Sequence, residues 1–289
     1  MRLRRLLFLA ALLPILLCAA AWDVGTILGH PRNGPVPAPA PPGVVVRLTA
    51  SDGVPIAGAY WPGRRPDGPA VLLLHGINND RDRLRAQALW LHGLGYAVLA
   101  IDFRGHGESG AAERTYGWHE ARDAAAALGF LRDGKPERKV GLVGISLGGA
   151  AALLGDGGPL PVEAMVLHAV YPDLRTAIAN RLARIGSRAV AGLFEPLLSE
   201  QAWLRYGVSP DRIAPAAAIR AYRGRLLVIG GTADRDTRPE DTRALYDAAP
   251  GPKQLWLVEG ADHLATSILW NDAWRSRVRA LFAASLGEP

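Results

Sequence analysis

Short apolar runs alternate with amphipathic stretches over most of the chain. Runs at 44–49 and 56–61 flank Ser51-Asp52-Gly53, a turn signal that predicts a hairpin. Further runs at 70–74, 97–101, 140–143, 164–169, 225–229 and 254–258 read as strands. Most lack polar alternation, as expected of parallel strands covered on both faces. Between them 83–94, with Leu84, Ala88 and Leu91 at helical spacing, reads as helix, as do 118–131, 238–248 and a stretch near 270–286. The alternation predicts an α/β fold: a mainly parallel central sheet with helices on both faces. It breaks once, at 171–212, where no strand signal occurs and 177–198 reads as helix interrupted by Gly186 and Gly192. A helical lid is expected there, inserted at the C-terminal edge of the sheet, where ligands bind in such folds. No internal repeat is present.

Upstream of Val44 the pattern changes. Arg2, Arg4 and Arg5 precede an apolar stretch at 6–18, and Ala19-Ala20-Ala21 supplies the small residues of a cleavage site. The apolar segment 6–21 falls short of the ~20 residues that span a bilayer comfortably. Residues 1–21 are therefore predicted to be a cleaved signal peptide, making the protein periplasmic or secreted. The alternative is an uncleaved anchor that associates the protein with a membrane. Cys18 suggests a lipoprotein site, but Leu17 stands where a small residue is expected. Residues 22–43, with PRNGPVPAPAPPG at 31–43, are predicted to be a proline-rich extended tether, and 44–289 the folded domain.

Composition narrows the function classes. Hydrophobic residues make up 49% of the chain, ample for a core. The net charge is +6; without Arg2, Arg4 and Arg5 the 33 basic residues become 30 against 27 acidic, a balance of +3. With no basic tract elsewhere, nucleic-acid binding has no support. Cys18 is the only cysteine, so a disulfide framework is excluded.

The chemistry gathers around KVGLVGISLGGAAALL at 139–154. An apolar strand runs into Gly144-Ile145-Ser146-Leu147-Gly148 and then into helix-forming residues. Gly144 and Gly148 lack the Cβ atoms that would clash in so tight a turn, which holds the Ser146 hydroxyl clear of the sheet. A serine hydroxyl needs a base, and the base an orienting acid, in the chain order Ser, acid, His. Downstream histidines are His168, inside a strand, and His263, in Glu259-Gly260-Ala261-Asp262-His263 directly after the last strand. His263 is the expected base. The expected acid lies in GGTADRD at 230–236, where Asp234 is preferred, Asp236 is the runner-up and Asp262 a weaker third. Backbone amides of Leu147 and Ile77 are the expected oxyanion donors, leaving His75 a structural role. No clustered His/Cys spacing suggests a metal, and this chemistry needs no cofactor.

These pieces resemble the α/β-hydrolase superfamily, closest to its lid-bearing esterase and serine-aminopeptidase-like branch. The resemblance rests on LLLHG at 72–76, DFRGHGES at 102–109, GISLGG at 144–149, GTAD at 231–234 and GADH at 260–263, and covers about 44–289. It implies Ser146 as nucleophile, Asp234 as acid, His263 as base and 102–109 as a structural loop near the pocket. Arg238 stands where the family usually has proline, four residues after the acid, and Pro239 follows, so Asp236 stays open. The expected activity is hydrolysis of a small-molecule ester, thioester or small amide, with ester cleavage ahead of peptide cleavage. The alternatives are an aminopeptidase-like hydrolase and a non-catalytic binding module of the cell envelope.

Overall fold

The apolar runs become strands whose two faces are both covered. The computed structural model describes the backbone of residues 2–267 and 270–289 and the side chains of 14–266 and 270–289. Its main sheet contains β1 (Val44–Thr49), β2 (Pro55–Trp61), β3 (Ala70–Leu74), β4 (Ala97–Ile101), β5 (Val140–Ile145), β6 (Ala164–His168), β7 (Arg225–Gly231) and β8 (Lys253–Val258). The spatial order is β1-β2-β4-β3-β5-β6-β7-β8. The pairs β1–β2 and β2–β4 are antiparallel and the rest parallel. Alternate residues enter different cores. Leu72, Leu74, Leu99, Ile101 and Leu142 face one, and Val71, Leu73, Val98, Val143 and Val166 the other.

The helices are α1 (Arg2–Gly29), α2 (Arg85–Leu94), α3 (Glu120–Arg132), α4 (Leu147–Leu153), α5 (Leu174–Ile185), α6 (Arg188–Ser199), α7 (Gln201–Tyr206), α8 (Pro215–Ala218), α9 (Pro239–Ala248), α10 (His263–Ser267) and α11 (Asp272–Leu286). Leu91 of α2 and Trp274, Val278 and Phe282 of α11 seal one face of the sheet. Leu128 of α3 and Ala150–Leu153 of α4 seal the other. Burying each such aliphatic or aromatic side chain contributes roughly 1.5–3 kcal/mol. The loops after β3, β5, β7 and β8 leave the sheet at its C-terminal edge. The predicted strands and domain helices all form, with ends moved by up to two residues.

The insertion between β6 and β7 is helical as expected, but it breaks differently. Gly186 ends α5, and Asp173 and Ser187 cap α5 and α6 through their side chains. Gly192 lies exposed within α6 and does not interrupt it.

The largest departure from expectation lies upstream of β1. Side chains of 2–13, which carry most of the predicted leader, lie outside the described residues. Among the described residues no helix is long and apolar enough to cross a membrane. The helix continues past Ala21 to Gly29, and its second half packs on α6. Residues 31–40 form no helix and 41–42 make a turn closed by the Gly43 N–H on the Ala40 carbonyl, and the segment lies along the domain as a strap. Arg32–Asn33 pairs in parallel with His106–Gly107. The Asn33 amide donates to the Ser109 carbonyl at 2.7 Å, and the Trp61 indole donates to the Ala40 carbonyl at 2.9 Å. Arg85 donates to the Ala38 carbonyl at 2.9 Å, and Val36 is buried. Beyond Asn33 the segment has no ladder, so its carbonyls stay open, and the domain's donors take those of Ala38 and Ala40.

Candidate functional site

Between the end of β5 and the start of α4 a single residue, Ser146, makes the turn. Its φ of 47° and ψ of −107° lie outside the regions favoured for L-residues, a strain that the surroundings must hold. They hold it by close backbone approach. A Cβ on Gly144 would meet Gly149 Cα at 2.7 Å, and one on Gly148 would meet the Leu74 carbonyl oxygen at 2.3 Å. The Ser146 N–H donates to the His168 carbonyl on β6 at 2.8 Å, and the Ser146 carbonyl accepts from Ala150 at 3.0 Å. The hydroxyl thus stands at the C-terminal edge in mid-sheet.

His263 opens α10, beyond the end of β8. Its Nδ1 donates to Asp234 Oδ2 at 2.8 Å. The other Asp234 oxygen accepts from the amides of Asp236 and Thr237, both at 2.8 Å, and the carboxylate is wholly buried. Of the acids left open by the sequence, Asp234 is therefore the one bonded to His263. Asp236 turns to the lid and pairs with Arg184 of α5 at 3.1 Å. Asp262 accepts from the Ala265 amide at 2.8 Å and serves its own helix. Ser146, His263, Ile77 and Ala233 line one cleft of about 410 Å³, whose rim carries Arg184, Arg235, Asp236 and Asp262. A second, mostly apolar cavity of about 380 Å³ runs under the lid and meets the cleft at Ile77 and Ser146.

Leu147 is the first residue of α4, so its amide has no acceptor within its own helix. Ile77 sits in the loop after β3, and that loop is held from three sides. Asn78, at φ 61°, donates its N–H to His106 Nε2 at 3.3 Å. Its side-chain oxygen accepts from Arg114 at 2.5 Å. Asn79 donates to the Ile77 carbonyl at 3.2 Å. Just beyond, the buried Asp102 carboxylate takes the Arg81 amide at 2.7 Å and pairs with the Arg81 guanidinium. The 102–109 loop therefore anchors the loop that carries Ile77.

Sequence reasoning missed His106, Arg114 and the packing of α1 on the domain. His106 lies in the DFRGHGES motif, which pointed to the loop without naming its contact. Arg114 carries no sequence signal. In α1 the only hint is Gly25 and Gly29, four apart and therefore on one helix face.

A family model described as the alpha/beta hydrolase family matches residues 71–279. The chain belongs to this family. An uncharacterized protein, Rv2307c of Mycobacterium tuberculosis (strain ATCC 25618 / H37Rv), is 33% identical over 244 residues, covering 82% of this chain and 79% of that protein. Uncharacterized YqkD of Bacillus subtilis (strain 168) is 27% identical over 197 residues, covering 67% and 64%. Among solved structures, the Pyrococcus furiosus esterase Pf2001 superposes with a TM-score of 0.68 at 22% identity, covering 89% of this chain and 99% of that one. At that identity the likeness speaks for the fold alone.

Three further histidines of this α/β hydrolase are buried and neutral. His75 donates from Nδ1 to the Gly76 carbonyl at 2.7 Å and accepts the Phe103 amide on Nε2 at 3.1 Å. His106 donates to the Arg104 carbonyl at 2.9 Å, opposite its bond from Asn78. His168 donates to the Thr266 carbonyl at 3.2 Å and accepts the Trp274 indole at 2.9 Å. Desolvation pushes each ring down from 6.5 to about 4. Between those values the unfolded ring binds a proton that the folded ring refuses. Each ring thus contributes a loss of stability as pH falls through that window. Imidazole 15N spectra at pH 5.5 are expected to show all three rings neutral, with the proton on Nδ1. A charged ring at that pH would contradict these bonds, since a cation has no acceptor nitrogen.

Proposed function

We propose that the protein is a serine hydrolase cleaving a carboxylic ester through an acyl-enzyme. The observation that carries this reading is the bond at 2.8 Å between His263 and the buried Asp234 carboxylate, on a cleft shared with Ser146. Ser146 Oγ attacks the carbonyl carbon while His263 Nε2 takes the hydroxyl proton. The carbonyl electron pair moves to oxygen, where the Leu147 and Ile77 amides receive it. The intermediate collapses, the bond to the leaving oxygen breaks, and that oxygen takes the proton from His263. Water then enters, gives a proton to His263 and attacks the acyl carbon. The proton returns to Ser146 Oγ as the acid leaves. Asp234 fixes the Nδ1–H tautomer and balances the imidazolium.

Ester cleavage is preferred to peptide cleavage because, among the described residues, the two carboxylates on the cleft rim already have partners, Asp236 in Arg184 and Asp262 in the Ala265 amide. A fluorophosphonate probe tests the reading. It should label the protein stoichiometrically at Ser146, with parallel loss of p-nitrophenyl ester hydrolysis. Absence of label on folded protein would leave a binding module in its place.

A further inference from the structure

We propose that residues 22–29, the last two turns of α1, form a wall of the acyl-chain pocket and set the chain length that the enzyme accepts. The inference rests on the acyl-transfer reading and extends it to a substrate class. The two cavities that meet at Ser146 differ in character. The cleft with His263 has a charged rim, which suits a leaving group that must be protonated and released to water. The other cavity has mostly aliphatic and aromatic walls and reaches Ser146 and Leu147 from beneath the lid. An acyl group bonded to Ser146 Oγ needs space within reach of that oxygen, and this cavity supplies it. The cavity volume of about 380 Å³ leaves room for an aliphatic chain rather than for an acetyl group alone.

One wall of this cavity comes from outside the predicted domain. Val24, Gly25 and Leu28 of α1 line it opposite Ile178 and Leu182 of α5. The wall is fixed in place. A Cβ on Gly25 would meet Gln201 Oε1 at 2.0 Å, and one on Gly29 would meet Tyr206 Oη at 3.0 Å, so two glycines on one face let α1 close on α7. Arg205 of α7 lies 3.9 Å over the Trp22 ring and donates to the Trp22 carbonyl and the Thr26 hydroxyl, both at 2.7 Å. Gln201 donates to the Ala21 carbonyl at 2.8 Å. The buried Arg114 donates to the Leu28 carbonyl at 2.6 Å, while its own amide donates to the Gly29 carbonyl at 2.9 Å. Carbonyls at a helix C-terminus lack partners within the helix, and here a side chain from the domain takes one. That same guanidinium holds Asn78, the neighbour of Ile77, which ties the wall to the oxyanion loop. Cleavage after Ala21 would leave residues 22–29 in the mature chain, so exported and anchored forms both keep the wall.

The test compares p-nitrophenyl acetate and p-nitrophenyl decanoate as substrates of the full-length protein. In Gly25→Trp the ring must either enter the cavity or force α1 off α7. The ratio of kcat/KM for decanoate over acetate is expected to fall at least fivefold, mainly through KM. The double variant Val24→Ala/Leu28→Ala, which enlarges the cavity, should shift the preferred chain toward dodecanoate. A merely structural role for α1 would lower both esters by the same factor, and a Gly25→Trp ratio within twofold of wild type overturns the proposal. Wild-type protein that hydrolyses neither ester and takes no fluorophosphonate label overturns the acyl-transfer reading itself, and this inference with it.

Discussion

Ser146→Ala is expected to lower kcat toward a p-nitrophenyl ester by about 10⁶-fold if the three side chains act as a unit. That corresponds to ~8 kcal/mol of lost transition-state stabilisation. In the proposed mechanism the variant removes the only atom that bonds covalently to the acyl group. It leaves the turn intact, because the Ser146 side chain makes no capping bond and its backbone bonds to His168 and Ala150 do not involve the hydroxyl. Alanine meets the same strain at φ 47° as serine does, so folding should be preserved. Residual turnover would come from the oxyanion amides and from binding. Turnover near that of wild type would remove Ser146 from the mechanism altogether.

Asp234→Asn is expected to cost about 10⁴-fold in kcat, or ~5 kcal/mol. The substitution keeps the shape but alters the hydrogen bonding. Asp234 accepts three bonds: the His263 Nδ1–H and the amides of Asp236 and Thr237. If the asparagine oxygen stays on the two amides, its NH₂ faces Nδ1 and drives the proton to Nε2, the nitrogen that must accept from Ser146. Asp236→Asn removes only the pair with Arg184 at the lid, so a change of a few-fold is expected there. A larger loss for Asp236→Asn than for Asp234→Asn would reassign the acid. Steady-state kinetics of the two variants, measured with one short-chain ester, decides between them.

The central sheet was legible because its signal is local. Ala70–Leu74 and Ala97–Ile101 are apolar and buried at every position, and Ala164–His168 is buried throughout and departs from that pattern only at its last residue, a histidine. The elbow was legible because a turn this tight restricts residue type, and Gly144, Ser146 and Gly148 carry that restriction on their face. The choice between Asp234 and Asp236 was not, since the two residues share a loop and differ only in which way the chain turns them. Thr237 donates its amide to Asp234, and that bond fixes the direction, but no spacing rule records it. The role of 22–43 was hidden for another reason. An apolar segment followed by prolines reads as a leader and a linker, whereas its place in the structure comes from contacts remote in the chain, with Trp61, Arg85, Ser109, Arg114 and Arg205.

The strap at 31–43 bears on how the protein can be handled. A shortened version starting at Val44, where the sheet begins, would strip the Trp61 indole and the Arg85 guanidinium of their carbonyl acceptors. It would also uncover the His106–Gly107 backbone that Arg32–Asn33 completes as a miniature ladder. Raw strand edges invite self-association. Recombinant protein trimmed to the hydrolase sheet should therefore clump where the longer chain stays dispersed, as light scattering of the two would show.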